Sequence, residues 1–170
     1  MTESEFKALA SQGFNRVPLV LETFADLDTP LSVYLKLANR PYTYLLESVV
    51  GGERFGRYSF IGLAAENRIE VRGRKLSEFR NGKLAQTEEV ANPLQNIKTL
   101  LKRYQAARLP GLPRFCGGLV GYFGYDTVRY IESKLAETVK PDVLDAPDIL
   151  LMLSEQFAVV DNLTGKLYLV

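Results

Sequence analysis

The stretch RIEVRGRKLSEFRNGKLAQTEE, residues 68–89, decides the fold class of this chain. Apolar and polar residues alternate in short runs, first at Ile69 and Val71 and again further along. A period of two is typical of strands that bury one face. Asn81-Gly82 lies between two such runs, and an Asn-Gly pair in that position strongly predicts a hairpin. The stretch therefore predicts antiparallel strands, with its interspersed charges on the solvated side of the sheet.

Two dipeptides outside this stretch predict where the longer helices begin. Thr29-Pro30 and Asn92-Pro93 each place a capping side chain before a proline in the first helical position. The first of these helices is predicted to face inward with Leu31, Tyr34, Leu35 and Ala38. Further segments are predicted as a short helix after Thr2 or Ser4 and as strands at 16–24, 42–50, 57–62, 117–124, 149–154, 157–161 and 166–170. Helices between antiparallel hairpins favour an α+β fold over a doubly wound parallel sheet.

The composition is that of one ordinary globular domain. The 170 residues are 46% hydrophobic and 24% charged, and a chain of this length buries about 70% of the surface that it exposes when unfolded. Lys and Arg number 21 against 20 Asp and Glu, with the two signs interspersed, which argues against nucleic acid or an anionic membrane as the partner. The chain has no apolar run long enough to cross a membrane and no signal-peptide pattern at its start, so we expect a cytoplasmic protein.

The scarcity of cysteine and histidine excludes several kinds of site. The chain contains one Cys and no His. Disulfides within the chain, zinc sites with the usual ligands, and Ser-His-Asp or Cys-His catalysis are therefore excluded. Any chemistry is therefore left to carboxylates, Lys, Tyr or Ser, or it takes place outside this chain.

A second stretch, residues 44–62, has the chemistry of an amino acid binding site. A zwitterion with an apolar side chain needs an anion for its ammonium group, donors for its carboxylate and an apolar wall. The residues that could supply these are, in that order, Glu47, Ser48 with Arg57, and Leu46 with Tyr58. The alternative is an exposed cross-strand ion pair, which would stabilise the fold by less than about 1 kcal/mol. Residue chemistry alone leaves both interpretations open.

Strand alternation ranks the residues of this stretch. Consecutive strand residues face opposite ways, so Ser48 and Glu47 lie on different faces unless a bulge intervenes. By the same rule Arg57 and Ser59 face together, opposite Tyr58. Ser48 and Arg57 are thus the stronger candidates for direct contact with a ligand, and Glu47 is the weaker one.

The glycine cluster GGLVGYFG, residues 117–124, is predicted to serve packing rather than phosphate binding. A phosphate loop ends in Gly-Lys-Ser/Thr, whereas this cluster continues into Tyr125-Asp126. Glycines inside an aromatic strand let another backbone approach closely. For Asp126, with Arg129 one turn further on, a helix cap with an ion pair is favoured over a catalytic acid.

Three separated motifs together resemble a known family. They are Leu45-Leu-Glu-Ser48, Gly56-Arg-Tyr-Ser-Phe-Ile-Gly62 and Gly117-Gly-Leu-Val-Gly-Tyr-Phe-Gly-Tyr-Asp126. In this order they resemble the N-terminal region of anthranilate synthase component I, of the chorismate-utilising enzymes, over residues 1–170. The resemblance implies antiparallel or mixed sheets with flanking helices, in which two orthogonally packed sheets lie between helical layers. A C-terminal chorismate-binding region, not contained in these residues, would complete that α/β/β/α architecture, as a chain that ends within an alternating strand also suggests.

The same resemblance implies a regulatory role. Component I is a lyase that converts chorismate to anthranilate and pyruvate, with ammonia supplied from glutamine by its amidotransferase partner, component II. L-tryptophan inhibits it by feedback, and the family's tryptophan site carries over to Leu46, Glu47, Ser48, Arg57, Tyr58 and Ser59. The chorismate site, the Mg²⁺ ligands and the catalytic residues belong to the C-terminal region. The resemblance therefore implies that this chain has no catalytic residue, binds no metal and is inactive alone.

Two alternatives remain at this point. Aminodeoxychorismate synthase component I shares the architecture, although its motif commonly departs at the Glu47 position. The other alternative is a stand-alone domain that binds a ligand or a partner and catalyses nothing.

Overall fold

The computed structural model describes residues 1–47, 56–135 and 144–170. Its helices are α1 (Glu3–Ser11), α2 (Pro30–Leu37) and α3 (Pro93–Leu101), with 3₁₀ helices at Tyr125–Tyr130 and Ser133–Leu135. Its strands are β1 (Leu21–Phe24), β2 (Tyr44–Leu46), β3 (Tyr58–Gly62), β4 (Arg68–Arg72), β5 (Lys75–Arg80), β6 (Lys83–Glu89), β7 (Gly118–Phe123), β8 (Ile149–Ser154), β9 (Phe157–Asp161) and β10 (Lys166–Leu169). None of the described helices has the length and apolar character that a membrane crossing needs.

Spatial proximity groups the chain into two compact units. The first comprises residues 1–65, 105–118 and 154–170, and the second comprises residues 66–104 and 119–153. Each is built around a sheet of five strands, with the order β1-β10-β9-β3-β2 in the first and β6-β5-β4-β8-β7 in the second. The sheets are antiparallel and the helices lie outside them, so the predicted α+β class is confirmed.

The first unit buries one face of its sheet against α2. Val33 and Ala38 of the helix pack with Ile61 of β3 and with Ala158 and Val160 of β9. Thr29 caps the helix as predicted, because its hydroxyl accepts from the Ser32 amide while the Ser32 hydroxyl accepts in return from the Thr29 amide. The cap fixes where α2 begins and so aligns its short inward face with the sheet.

The predicted inward face of α2 is only half right. Tyr34 and Ala38 contact the core, but Leu31 and Leu35 are 53% and 55% exposed. The helix has eight residues, about two turns, so its periodicity defines a direction poorly. The shorter side chain of Val33, which is 3% exposed, lies against the sheet instead.

The second unit confirms the hairpins predicted for residues 68–89. Strands β4, β5 and β6 pair in sequence as an antiparallel meander. Asn81 and Gly82 both have positive φ, 50° and 72°, as a two-residue turn of type I′ requires. Helix α3 covers the buried face with Ile97 and Leu100, which belong to the same core cluster as Val71 and Ile149.

The charges of this meander are not all solvated, contrary to the sequence prediction. Arg68 is 8% exposed, and its Nε donates to a carboxylate oxygen of Glu70 at 2.7 Å. Its guanidinium also lies 3.7 Å from the centre of the Phe79 ring. A cation is tolerated in a buried position when an acid and an aromatic face replace its water. Alternation predicts which residues share a face but not whether that face is covered.

Gly121 within β7 and Gly124 just after it permit close backbone packing, as predicted. A Cβ on Gly121 would overlap the carbonyl oxygen of Leu150 in β8, and one on Gly124 would lie 3.0 Å from the carbonyl oxygen of Asp148. Asp126 and Arg129 form the predicted ion pair, with Nε of Arg129 3.0 Å from the carboxylate. The cluster therefore serves sheet packing and leads into a 3₁₀ helix.

Gly121→Ala should destabilise the protein by about 3 kcal/mol or more, because the added methyl group meets backbone rather than a movable side chain. Gly124→Ala is the graded comparison and should cost less, since its neighbour is further away. Urea denaturation gives the free energy of unfolding of each variant. Equal stability of Gly121→Ala and the unmodified protein would contradict the packing of β7 on β8.

Candidate functional site

Three of the predicted site residues lie at neighbouring ends of β2 and β3. Leu46 is the last residue of β2 and is 51% exposed, and exposed Glu47 follows it. Tyr58 begins β3. Ser48 lies outside the described residues. The antiparallel pairing of β2 with β3 brings the end of β2 next to the start of β3, as the sequence predicted.

Leu46, Tyr58 and Phe60 form an apolar wall on one face of the first sheet. Leu46 pairs with Phe60 in the register of β2 and β3, so the two share a face, and Tyr58 lies two residues before Phe60 on that face. The rings of Tyr58 and Phe60 are 6.3 Å apart, and Phe115 packs edge-on against Phe60 at 5.5 Å. Burial raises the pKa of the Tyr58 hydroxyl above its usual value.

Arg57 forms a two-point ion pair with Asp161 at the end of β9. Nε of Arg57 donates to both carboxylate oxygens at 3.2 and 3.1 Å, and Nη2 donates to Oδ2 at 2.8 Å. The Asp161 side chain is 0% exposed and the Arg57 side chain 38%. A bidentate pair of this kind combines strength with a defined orientation of the guanidinium.

The pair shifts both acid–base equilibria toward the charged forms. Burial alone would raise the pKa of Asp161, but hydrogen bonds from Arg57, from Thr164 and from the Leu163 amide outweigh it and bring that pKa below its usual value. The hydrogen bond to Asp161 raises the pKa of Arg57. Both groups are therefore ionised at neutral pH.

The prediction that Arg57 and Ser59 face together is wrong. The guanidinium of Arg57 lies 4.9 Å from the centre of the Tyr58 ring, and Tyr58 is the register partner of Asp161. Arg57 therefore shares the face of the apolar wall. It precedes the first residue of β3, so strand alternation does not govern it, and the buried carboxylate attracts its side chain.

Ser59 lies on the opposite face and is 0% exposed. Its register partner is Val160, which belongs to the core cluster beneath α2. The side-chain amide of Asn162 donates to the Ser59 hydroxyl at 3.1 Å and to the Gly56 carbonyl at 3.2 Å. Ser59 is thus linked through the side chain of Asn162 to the backbone of Gly56, which lies just before β3.

Tyr44 anchors the edge strand that carries Leu46. Its ring covers Gly62, where any Cβ would overlap it, and its hydroxyl is 2.6 Å from the Ser154 hydroxyl. A three-residue edge strand has few backbone hydrogen bonds of its own. The aromatic contact and the hydroxyl pair therefore contribute to holding β2 in register with β3.

Sequence reasoning missed Asp161. The signal present there, Asp161-Asn-Leu-Thr-Gly165, indicated a hairpin loop, and Asp161 does stabilise that loop by accepting from the Leu163 amide at 3.1 Å. Nothing in the local pattern pointed to Arg57. Among the described residues no group of three or more Asp, Glu, Cys or His side chains is placed so that it could hold a metal ion.

The chain is similar over its whole length to curated proteins of one name. It is 56% identical over 173 residues to anthranilate synthase component 1 of Neisseria meningitidis serogroup C, covering 100% of this chain and 35% of the relative. It is 52% identical over 168 residues to anthranilate synthase component 1 of Pseudomonas putida, covering 99% of this chain and 34% of the relative. The chain matches the N-terminal region of anthranilate synthase component 1.

A solved structure supports the same fold. Anthranilate synthase component I of Streptococcus pneumoniae superimposes on 87% of this chain and 30% of its own, with a TM-score of 0.53 and 21% identity. At that identity the likeness concerns the fold alone. No protein-family model matches the chain. The chain spans about a third of the length of the anthranilate synthase component 1 relatives that it matches.

Asp161→Asn should destabilise the protein by about 2 kcal/mol at pH 7, because hydrogen bonds to a buried charge are lost. The folded-state pKa of Asp161 is lowered, so the stability that its ionisation contributes is present above the unfolded pKa of about 3.9 and disappears as pH falls through the lower folded value. The difference in the free energy of unfolding between Asp161→Asn and the unmodified protein should therefore become smaller below about pH 4. Urea denaturation from pH 7 to pH 2.5 measures it.

Asp126→Asn is the matched control, because it removes an exposed carboxylate from the pair with Arg129. It should cost less than about 0.5 kcal/mol at pH 7. A pH-independent deficit of Asp161→Asn would contradict the ion pair.

Proposed function

We propose that this chain is the regulatory N-terminal part of an anthranilate synthase component I. The whole protein would be a lyase of tryptophan biosynthesis that converts chorismate, with ammonia from glutamine, to anthranilate and pyruvate. The observation that carries this proposal is the identity of 52–56% to relatives of that name over 99–100% of the chain. The same relatives favour the anthranilate reaction over aminodeoxychorismate synthesis and over a stand-alone binding domain.

The proposed ligand of this part is L-tryptophan as a feedback inhibitor. Its site would comprise Leu46, Glu47, Ser48, Arg57, Tyr58 and Ser59. The apolar wall offers a surface for an indole ring, and Arg57 places a cation beside that wall. Glu47 is exposed next to Leu46, where its carboxylate could meet an ammonium group. Buried Ser59 would act through Asn162 and the backbone before β3 rather than by direct contact.

The proposed assembly supplies what this chain does not contain. Catalytic residues, the chorismate site and Mg²⁺ would belong to the remaining two thirds of the protein, and ammonia would come from the amidotransferase component II. We propose a cytoplasmic enzyme of which these 170 residues, by themselves, are inactive. Inhibition then requires that tryptophan binding favour an arrangement that holds chorismate poorly.

Leu46→Ala and Ser48→Ala, each in the full-length protein, should raise the tryptophan concentration for half-inhibition about tenfold, since each removes a proposed ligand contact. Anthranilate formation is followed by its fluorescence, and inhibition is expressed relative to the uninhibited rate of the same variant. The matched control is Leu84→Ala on β6, another exposed strand leucine, which should leave inhibition unchanged. Unchanged inhibition in both site variants would refute the site, and lack of anthranilate formation by the unmodified protein would refute the function.

Chorismate and tryptophan should also weaken each other's binding by the same factor, because coupling between two sites is reciprocal. Calorimetric titration of the full-length protein with tryptophan, with and without saturating chorismate and in the absence of any amino donor or Mg²⁺, measures one factor. The reverse titration measures the other. Two factors that differ beyond error would contradict a coupled equilibrium between the sites.

A further inference from the structure

The ion pair between Arg57 and Asp161 occupies one particular edge of the guanidinium. Nε and Nη2 both donate to the carboxylate, with distances of 2.8 to 3.2 Å. These two nitrogens form the side-on edge of the guanidinium plane, which has five N–H groups in a fixed fork. Asp161 therefore accepts from both nitrogens of the side-on edge. The other edge of the guanidinium, the end-on edge, is formed by Nη1 and the outer N–H of Nη2.

The end-on edge includes Nη1, a donor for which the described residues supply no acceptor. Nη1 makes no hydrogen bond within the part of the chain that the structure describes, and the Arg57 side chain is 38% exposed. The guanidinium also lies beside Tyr58 of the apolar wall. An arginine can bind one carboxylate side-on and another end-on, because the two edges are separate pairs of parallel donors.

Asp161 is itself held in place from several directions. It accepts from the Leu163 amide at 3.1 Å through its side chain, and its carbonyl accepts from the Gly165 amide at 2.9 Å. The Asn162 amide donates to the Arg57 carbonyl at 2.7 Å, which fixes the backbone of Arg57 relative to the same turn. The carboxylate is 0% exposed, so it cannot contact a ligand directly. Its effect on a ligand has to pass through Arg57.

We propose that Asp161 is a positioning residue that presents the end-on edge of Arg57 to the α-carboxylate of the amino acid ligand. This inference rests on the proposed function, because it assumes that tryptophan binds beside the apolar wall. The buried carboxylate fixes the guanidinium before the ligand arrives, so binding loses less side-chain freedom. It also keeps an otherwise unpaired cation at the wall neutralised when the ligand is absent.

The test compares two ligands that differ in the carboxylate alone. L-tryptophan and L-tryptophanamide share the indole and the ammonium, but the amide has no anionic group for Arg57. In the full-length protein, Asp161→Asn should weaken L-tryptophan binding about tenfold and leave L-tryptophanamide binding nearly unchanged, as measured by calorimetry. A purely structural role would weaken both ligands by the same factor.

Two comparisons test whether Asp161 acts on the ligand through Arg57. In an Arg57→Gln background, Asp161→Asn should no longer change the affinity ratio of the two ligands, because the group that it positions is gone. Asp126→Asn, which breaks the exposed pair with Arg129, should leave the ratio unchanged. Asp161→Glu keeps the charge, but its additional methylene displaces the guanidinium, so this variant should also lower the affinity ratio of the two ligands. Asp161→Glu is measured in place of Asp161→Asn if Asp161→Asn does not fold.

The outcomes separate the two proposals. If the unmodified protein binds no tryptophan, both the proposed function and the role of Asp161 are refuted. If it binds tryptophan and the ratio is the same in the Asp161 variants, only the role of Asp161 is refuted. A ratio that falls in the Asp161 variants and not in Asp126→Asn supports the inference.

Discussion

The arrangement of the candidate site depends on the ion pair between Arg57 and Asp161. It joins the start of β3 to the end of β9, where a hairpin turn leaves backbone groups to be satisfied. Because the carboxylate is fully buried, the pair is weakly screened by water, and breaking it from one side leaves an unpaired charge. The contact that links the ends of these two strands therefore also places a cation beside Tyr58 of the apolar wall.

The edge strand β2 brings the other half of the candidate site to this cation. It has only three residues, yet it carries Leu46 and leads into Glu47. Its register rests on β3 and on Tyr44, whose ring covers Gly62 and whose hydroxyl reaches Ser154. A shift by one residue would move Leu46 to the other face of the sheet, away from Tyr58. The geometry of the site is thus a consequence of strand register.

Features with local causes could be predicted from the sequence, and those with distant causes could not. The cap at Thr29 and the turn at Asn81-Gly82 depend on neighbouring residues, and both are present. Arg57 and Asp161 are 104 positions apart, and their contact depends on the pairing of β3 with β9. Alternation could not reveal that pairing. It therefore placed Arg57 on the wrong face and gave no reason to select Asp161.

The proposed site for a zwitterion places a cation beside an apolar wall, and the buried carboxylate of Asp161 compensates that cation. Without a partner, a guanidinium beside Tyr58 would lose part of its hydration without compensation. With Asp161 behind it, the cation is compensated when no ligand is present, and its second edge still offers two donors in fixed directions. In the proposed site, a ligand carboxylate would bind at that edge without displacing Asp161. Selectivity for a carboxylate over an amide would then follow from the directed charge of Arg57, while the apolar wall would select the side chain of the ligand.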